Sequence, residues 1–351
     1  MGTTMDPQTQ LFKRAAEAFL APEDDFFKLK ASIEETHRRY YEITGIRAFD
    51  HENDSDMHLE FGKAVSPVVA ADCLFDLLRT KRFIQGIYKA IVHLRKKFKG
   101  EKLNILYAGS GPYGALITPL CFVFGEDVFT CTAVDVHKES TLALEKILKE
   151  LKIENYFSRL TTCDAFDYQA ADEEKPHMIV SEVLQMGLRH EPQVALTHHL
   201  APQLRDGGVF IPKEIRLDLF HSKKIPENIQ TAVAESTVTC RPEREEDFLG
   251  NILTLNLQTV KEQLQINEYP NLRFKPLQVA IPRKRDPDDS LKLHTLLEIY
   301  NDVFLTKRQS SLNVPIRMTN LRGYSDDTVF EFEYKLSRKP RTELRILHDG
   351  Q

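Results

Sequence analysis

Residues 104–116, NILYAGSGPYGAL, set Gly109, Gly111 and Gly114 in the spacing G-x-G-x-x-G directly behind a short apolar run, Ile105 to Tyr107. Glycines in such a place permit a tight turn and let a ligand lie against bare backbone. A helix opening in the apolar segment that follows would add unpaired N–H groups and partial positive charge. A second strand-like run, Phe129 to Val134, ends in Asp135, 21 positions beyond Gly114. A carboxylate at that point is placed to accept the hydroxyls of a ribose. A third run, Leu160 to Thr162, leads into Cys163-Asp164-Ala165. Asp164 can accept from an adenine amino group there; its simpler reading is a turn-forming Asp. The series implies a nucleoside-cofactor site. A dinucleotide and S-adenosylmethionine (SAM) both suit the loop and Asp135. Asp164, the bulky Tyr113 and the Pro119 that punctuates the next segment favour SAM.

The elements that must hold these residues fall into three stretches. Residues 1–100 are helical in pattern: Phe27–Tyr41 is charged and periodic, and Val68–Phe98 carries apolar residues at three- and four-residue intervals, interrupted only by Gly86. His51–Asp56 between them reads as a solvated loop. Residues 101–215 alternate strand and helix, with strand-like runs at Asn104–Ala108, Phe129–Val134, Leu160–Thr162, Met178–Ser181 and Val209–Phe210 and helical stretches at Thr141–Leu151 and Pro192–Leu204. That rhythm predicts a parallel sheet flanked by helices. From residue 216 to 351 it changes. Ile252–Val260, Leu272–Ile281, Val314–Asn320 and Thr328–Tyr334 read as strands split by polar turns, which predicts an antiparallel, β-rich unit. His348–Gln351 should be frayed.

Composition narrows the function classes. The 351 residues are 42% hydrophobic and 28% charged, with 47 basic against 52 acidic side chains and a net charge of −5. Such a balance argues against broad nucleic-acid binding. The five cysteines are scattered without a C-x-x-C pair, which reads as reduced thiols in a cytoplasmic protein. No metal site is expected; the adjacent His198 and His199 lie in a helical pattern, where neighbours point apart. No run of eighteen apolar residues and no basic-then-apolar leader is present, so no membrane span is expected.

Three further segments give the chain a resemblance to a known family. Asp76-Leu77-Leu78-Arg79-Thr80 is similar to a D-x-x-R-T helix, Ser181 to Glu191 (SEVLQMGLRHE) carries a second Glu nine positions after Glu182, and LAPQLRDGGVFIP spans Leu200 to Pro212. With the glycine loop, these resemble the class I SAM-dependent methyltransferases, and within them the protein arginine methyltransferases. The resemblance implies an α/β fold: a Rossmann-like sheet with N-terminal helices and a C-terminal β-rich, barrel-like domain that serves substrate and dimer contacts. It also implies SAM as cofactor, Arg79 clamping its methionine carboxylate, Glu182 and Glu191 as the double-glutamate pair that grips the substrate, and a homodimer. No dimerisation arm is recognisable between Ser222 and Gly250. The likeness is specific over residues 70 to 215 and architectural elsewhere. Departures are Val183 and Met186 in place of aromatic residues in the loop, Gln193 in place of a methionine, and the absence of any Trp. His294-Thr295 stands in the right third of the chain without the Thr-His-Trp pattern.

Two carboxylates suit a guanidinium. Its charge is spread over three nitrogens, each a poor nucleophile, and its pKa lies above about 12. Forked hydrogen bonds from two carboxylates fix its plane and concentrate positive charge away from the attacking nitrogen. The altered loop and missing Trp favour free L-arginine or a small guanidine over peptidyl arginine as the acceptor. Glu191, His190 and His294 are candidate proton acceptors. Taken singly, Glu182 reads as a strand-end acid, Glu191 as a first-turn helix acid and Arg79 as a solvated arginine. The alternatives are a SAM-dependent methyltransferase acting on another nucleophile and a non-catalytic SAM-binding scaffold.

Overall fold

The computed structural model describes residues 6–50, 55–224, 245–267 and 269–348. Residues 51–54 of the expected loop, most of the Ser222–Gly250 interval and the last three residues lie outside them. Two amphipathic helices, α1 (Pro7–Leu20) and α2 (Phe26–Thr44), open the chain, with Asp6 and Asp25 accepting from backbone N–H groups as N-caps. A hairpin of β1 (Met57–Leu59) and β2 (Gly62–Ala64) follows.

The predicted 68–98 helix is two helices, α3 (Pro67–Asp72) and α4 (Leu77–Lys97). The break is made by Asp76, whose side chain caps α4 at the Arg79 N–H. The Thr80 hydroxyl ties the turn together by donating to the carbonyls of Cys73 and Leu74. Arg79 therefore stands in the first turn of α4 rather than in mid-helix. Phe83, Ile84, Ile87, Ile91 and Leu94 bury one face of α4. At Gly86 a Cβ would run into the Ile299 side chain, so the one helix-interior glycine marks where the β-rich part packs against the helix.

The central sheet consists of β3 (Leu103–Ala108), β4 (Phe129–Asp135), β5 (Phe157–Thr162), β6 (Met178–Ser181) and β7 (Val209–Ile211), all parallel in the order β5-β4-β3-β6-β7. Helices α5 (Lys138–Leu151) and α6 (Gln193–Leu200) flank it. Alternate residues of β3 face different cores: Ile105 and Tyr107 join the main one, while Leu106 and Ala108 meet Leu196 and Leu200 of α6. This is the burial of a sheet covered on both sides.

Beyond Pro212 the pairing turns antiparallel. The elements are β8 (Glu214–Ser222), β9 (Glu246–Asn256), α7 (Leu257–Ile266), β10 (Leu277–Ala280), β11 (Ser290–Tyr300), β12 (Val303–Leu305), β13 (Ile316–Asn320), β14 (Val329–Lys335) and β15 (Arg341–His348). One sheet runs β12-β11-β8-β9 with β13 also on β11; the other runs β10-β14-β15. Two expectations are corrected here, and two strands are added. The 252–260 run is a strand that ends at Asn256, where a capping box with Thr259 starts α7. Only Leu277–Ala280 of the 272–281 run forms a strand. The long β11 and β15 did not stand out in the sequence. The fold is thus α/β, with N-terminal helices, a Rossmann-like parallel sheet and a β-rich C-terminal part.

Candidate active site

In an open parallel sheet the natural ligand crevice lies beyond the carboxyl ends of the strands, where neighbouring crossovers diverge. Here β3 is followed in sequence by β4 on one side and flanked by β6 on the other. A cavity of about 390 Å³ opens at that point. Arg79, Gly109, Gly111, Asp135, Asp164, Ala165, Glu182 and Glu191 all line it. Gly114 stands away from it: a Cβ there would meet Leu144 Cδ1 at 2.9 Å and Thr118 Cγ2 at 3.3 Å, so this glycine lets the loop pack on α5.

The glycine loop keeps positive φ at all three glycines. The expected helix after it is absent from residues 109–122, which form turns and a short 3-10 segment at Thr118–Phe122. The glycine loop therefore meets the cavity without a helix dipole behind it. A Cβ on Gly109 would strike Val183, and one on Gly111 would touch Ala70 Cβ at 3.4 Å. Asp135 stands at the end of β4 with each oxygen engaged once, by the Gly111 N–H at 2.8 Å and the His137 N–H at 2.9 Å. Burial pushes its carboxyl up, and those two donors pull it back. A carboxylate oxygen that takes one donor has capacity for another. Asp164 Oδ1 accepts from the Phe166 N–H at 3.1 Å, so the turn-forming reading holds for one oxygen and leaves the other as an acceptor.

Glu182 and Glu191 bracket a loop with an unusual backbone. Gly187, Leu188 and His190 all have positive φ, at 71°, 51° and 70°, which for Leu and His costs energy that surrounding contacts must offset. Those contacts come from distant parts of the chain. The Thr295 hydroxyl accepts from the Gly187 N–H at 2.7 Å, and the buried Tyr334 hydroxyl donates to the Leu188 carbonyl at 2.6 Å. The His190 N–H donates to the Pro340 carbonyl at 3.0 Å, and the Lys63 N–H to the His190 carbonyl at 2.7 Å. Gly62 presses on the same segment: a Cβ there would lie 2.8 Å from the His190 oxygen and 2.9 Å from the Glu191 carbonyl carbon. Gln193 is fully buried, accepts from the Val183 N–H at 3.0 Å and donates to Thr197. It closes the base of the loop. Thr295, Tyr334, Gly62, Lys63 and Gln193 were not legible as site-builders; only the odd Gln193 and His294-Thr295 drew notice as departures.

The two glutamates differ electrostatically. Glu182 forms an ion pair with Arg79, the two side chains being 5% and 12% exposed. Its Oε1 is buried and has no hydrogen-bond partner among the described residues. Such an orphan acceptor is expensive unless a donor arrives. Glu191 is buried just ahead of α6, and burial pushes its pKa up to about 7 against the opposing pull of Arg79. The sequence reading kept Arg79 and the glutamates apart; the structure couples them. Asp76, at the head of α4, accepts from the Ser311 N–H and the hydroxyls of Ser310 and Ser311, fastening the β-rich part beside Arg79. Among the described residues no group of His, Cys, Asp and Glu side chains is arranged to hold a metal ion.

The donor set fits SAM. A glycine loop with left-handed backbone, an acid at the end of β4, a second acid after β5 and a buried arginine surround one cavity that also contains an orphan carboxylate oxygen.

Solved structures with the same architecture share little sequence with this chain. The Trypanosoma brucei PRMT1 enzyme–prozyme heterotetrameric complex with AdoHcy superposes with a TM-score of 0.50 at 14% identity, covering 79% of this chain and 92% of that one. PRMT6 with SAH gives 0.51 at 13%, covering 78% and 97%. Arabidopsis thaliana protein arginine methyltransferase 10, in a uniquely open conformation, gives 0.50 at 12%, covering 79% and 97%. No protein-family model matches the sequence, and no curated protein matches it. The likeness is one of fold: the chain shares its architecture with these arginine methyltransferase structures.

Proposed function

We propose that this protein is a SAM-dependent N-methyltransferase that methylates the guanidino nitrogen of arginine, with free L-arginine or a small guanidine favoured over peptidyl arginine. The observation that carries the reading is the pairing of two buried carboxylates, Glu182 and Glu191, in one cavity with the glycine loop and Asp135. Asp135 would hold the ribose hydroxyls, Asp164 with the neighbouring Ala165 backbone the adenine, and Arg79 the methionine carboxylate. The bound cofactor supplies an electrophilic methyl on sulfur.

Glu182 and Glu191 would fix the guanidinium plane, and the free Oε1 of Glu182 would gain the donor it lacks. Aligning the acceptor nitrogen in this way is worth on the order of 7–11 kcal/mol in favourable intramolecular cases, with electrostatic preorganisation adding to it. The nitrogen becomes acidic once methylated. Glu191, with a pKa of about 7, is matched to take up its proton at neutral pH.

Mass spectrometry of arginine, guanidine metabolites and Arg-rich peptides incubated with SAM tests the proposal. A mass gain of one methyl on a guanidino nitrogen supports it. The Glu182→Gln and Glu191→Gln variants should each lose at least about a hundredfold in transfer, roughly 2.7 kcal/mol. The double variant should be little worse than the worse single one, because both residues serve one ion site. Near-normal turnover in both single variants would mean a different acceptor.

A further inference from the structure

One lysine of the cavity wall is held in an ion pair that guanidinium binding does not use. Lys63, on β2, lines the same cavity as Glu182 and Glu191, and its Nζ lies 2.5 Å from Asp56 Oδ2. Asp56 Oδ1 accepts from the Ser66 N–H at 3.1 Å, which anchors the carboxylate at the base of the hairpin. Burial pushes the Asp56 carboxyl up, but Lys63 and that N–H outweigh it and hold the group below the usual range. Both side chains are about a quarter exposed, 27% and 26%, so a ligand entering from solvent can reach the pair. The Lys63 N–H bond to the His190 carbonyl sets β2 against the residue before Glu191, and the ion pair holds Asp56 beside Lys63.

The surrounding rim is cationic. The Lys63–His190 and His190–Pro340 backbone hydrogen bonds bring together Lys63, Arg189, Lys339 and Arg341. Burial first, and then these four cations, hold the His190 imidazole below its ordinary range. Against them stand Asp56 and Glu343, the latter 2.5 Å from Arg341. A floor of two carboxylates under a positive rim suits a ligand that is cationic at its inner end and carries an anion at its outer end. A peptide with several arginines has no such anion and is repelled at the rim.

We propose that Lys63 and Asp56 form a headgroup clamp, Lys63 taking the α-carboxylate and Asp56 the α-ammonium of a free α-amino acid whose guanidinium lies between Glu182 and Glu191. The clamp rests on the guanidine reading above and narrows it to free L-arginine. The existing ion pair exchanges partners with a zwitterion, so every charge stays compensated before and after binding. A guanidine without a carboxylate leaves the pair closed and gains nothing from it.

The test uses the whole chain with SAM and four acceptors: L-arginine, agmatine, 5-guanidinopentanoate and Nα-acetyl-L-arginine amide. L-Arginine is expected to exceed agmatine by at least about tenfold in kcat/KM, chiefly through KM, the scale of one charge-assisted contact. Lys63→Gln should bring that ratio near unity, and Lys63→Arg should restore most of it. The Lys63 N–H bond to His190 is a backbone bond and survives either change. Asp56→Asn should remove the preference for L-arginine over 5-guanidinopentanoate, which lacks the α-amine. Equal use of L-arginine and agmatine by the parent protein, or an unchanged ratio in Lys63→Gln, overturns the clamp while guanidino methylation stands. Transfer to none of the four acceptors overturns the guanidine reading and the clamp together.

Discussion

Under the proposed function Arg79 and Glu182 would sit at the boundary between two ligands, and their ion pair would link the binding of one to the other. In the structure Arg79 neutralises Glu182; a cofactor carboxylate would compete for the same guanidinium. Glu182→Gln is therefore expected to tighten S-adenosylhomocysteine binding while transfer falls by the roughly hundredfold or more given above. Arg79→Ala should weaken S-adenosylhomocysteine by more than about tenfold, the loss of one charge-assisted contact, and leave adenosine nearly unaffected. Calorimetry on the two variants checks both signs. Equal losses of both ligands in Arg79→Ala would reduce Arg79 to a support for α4. Asp135→Ala is expected to weaken both ligands alike, since both carry the ribose.

Glu191 adds a pH dependence. Its carboxyl is raised to about 7, so below that pH the free protein holds it protonated and unable to pair with a guanidinium. The kcat/KM for a guanidine acceptor should rise as pH increases through about 7 and level off above it. A pH profile of Glu191→Gln should lack that rise, whatever its residual rate.

At the scale of elements, the β1–β2 hairpin is the piece on which the site geometry leans. Gly62 has φ +148° and backbone atoms of residues 190–192 within 2.9 Å of its notional Cβ. Gly100 also has a positive φ, +80°, but nothing lies within 4 Å of the same point. Gly62→Ala is expected to lower both the melting temperature and transfer, on the scale of about 1–3 kcal/mol of stability. Gly100→Ala should show only the backbone cost of about 1 kcal/mol and keep transfer. A melting curve and a rate for each variant separate steric displacement from simple backbone strain.

The same scale explains what the sequence revealed. Strands β3, β4 and β6 were legible because a fully buried parallel strand is a short apolar run, and because Gly109, Asp135 and Glu182 punctuate their ends. Strand β11, SLKLHTLLEIY, hid because it is buried along nearly its whole length and does not alternate, so its leucines suit a helix as well as a strand. The break before Arg79 hid because Asp76 sits within an otherwise helical period, and its clasp with Ser310 and Ser311 spans more than two hundred residues. The candidate residues that line the cavity were legible one by one. The hydroxyls of Thr295 and Tyr334 that shape their loop were not, because neither carries a local signal.

For the molecule as a whole, the β-rich part lies against the cavity through Ser311 and Leu312, which line it. None of the helices among the described residues is long and apolar enough to cross a membrane. The resemblance to arginine methyltransferases leads us to propose a homodimer. Light scattering at micromolar concentration should then give about twice the 40.4 kDa chain mass; a single-chain mass across that range would exclude a stable dimer.

The loop between the two glutamates also has a consequence in time. Its backbone is held by Tyr334 and by the carbonyl of Pro340, which leave the ribosome long after β3 to β7. A nascent chain can complete the parallel sheet while the glutamate loop still lacks its fasteners. Competence to bind the methyl donor should therefore appear before competence to use it, and an interrupted chain ending before residue 334 would be an idle nucleotide binder rather than a careless methylating agent.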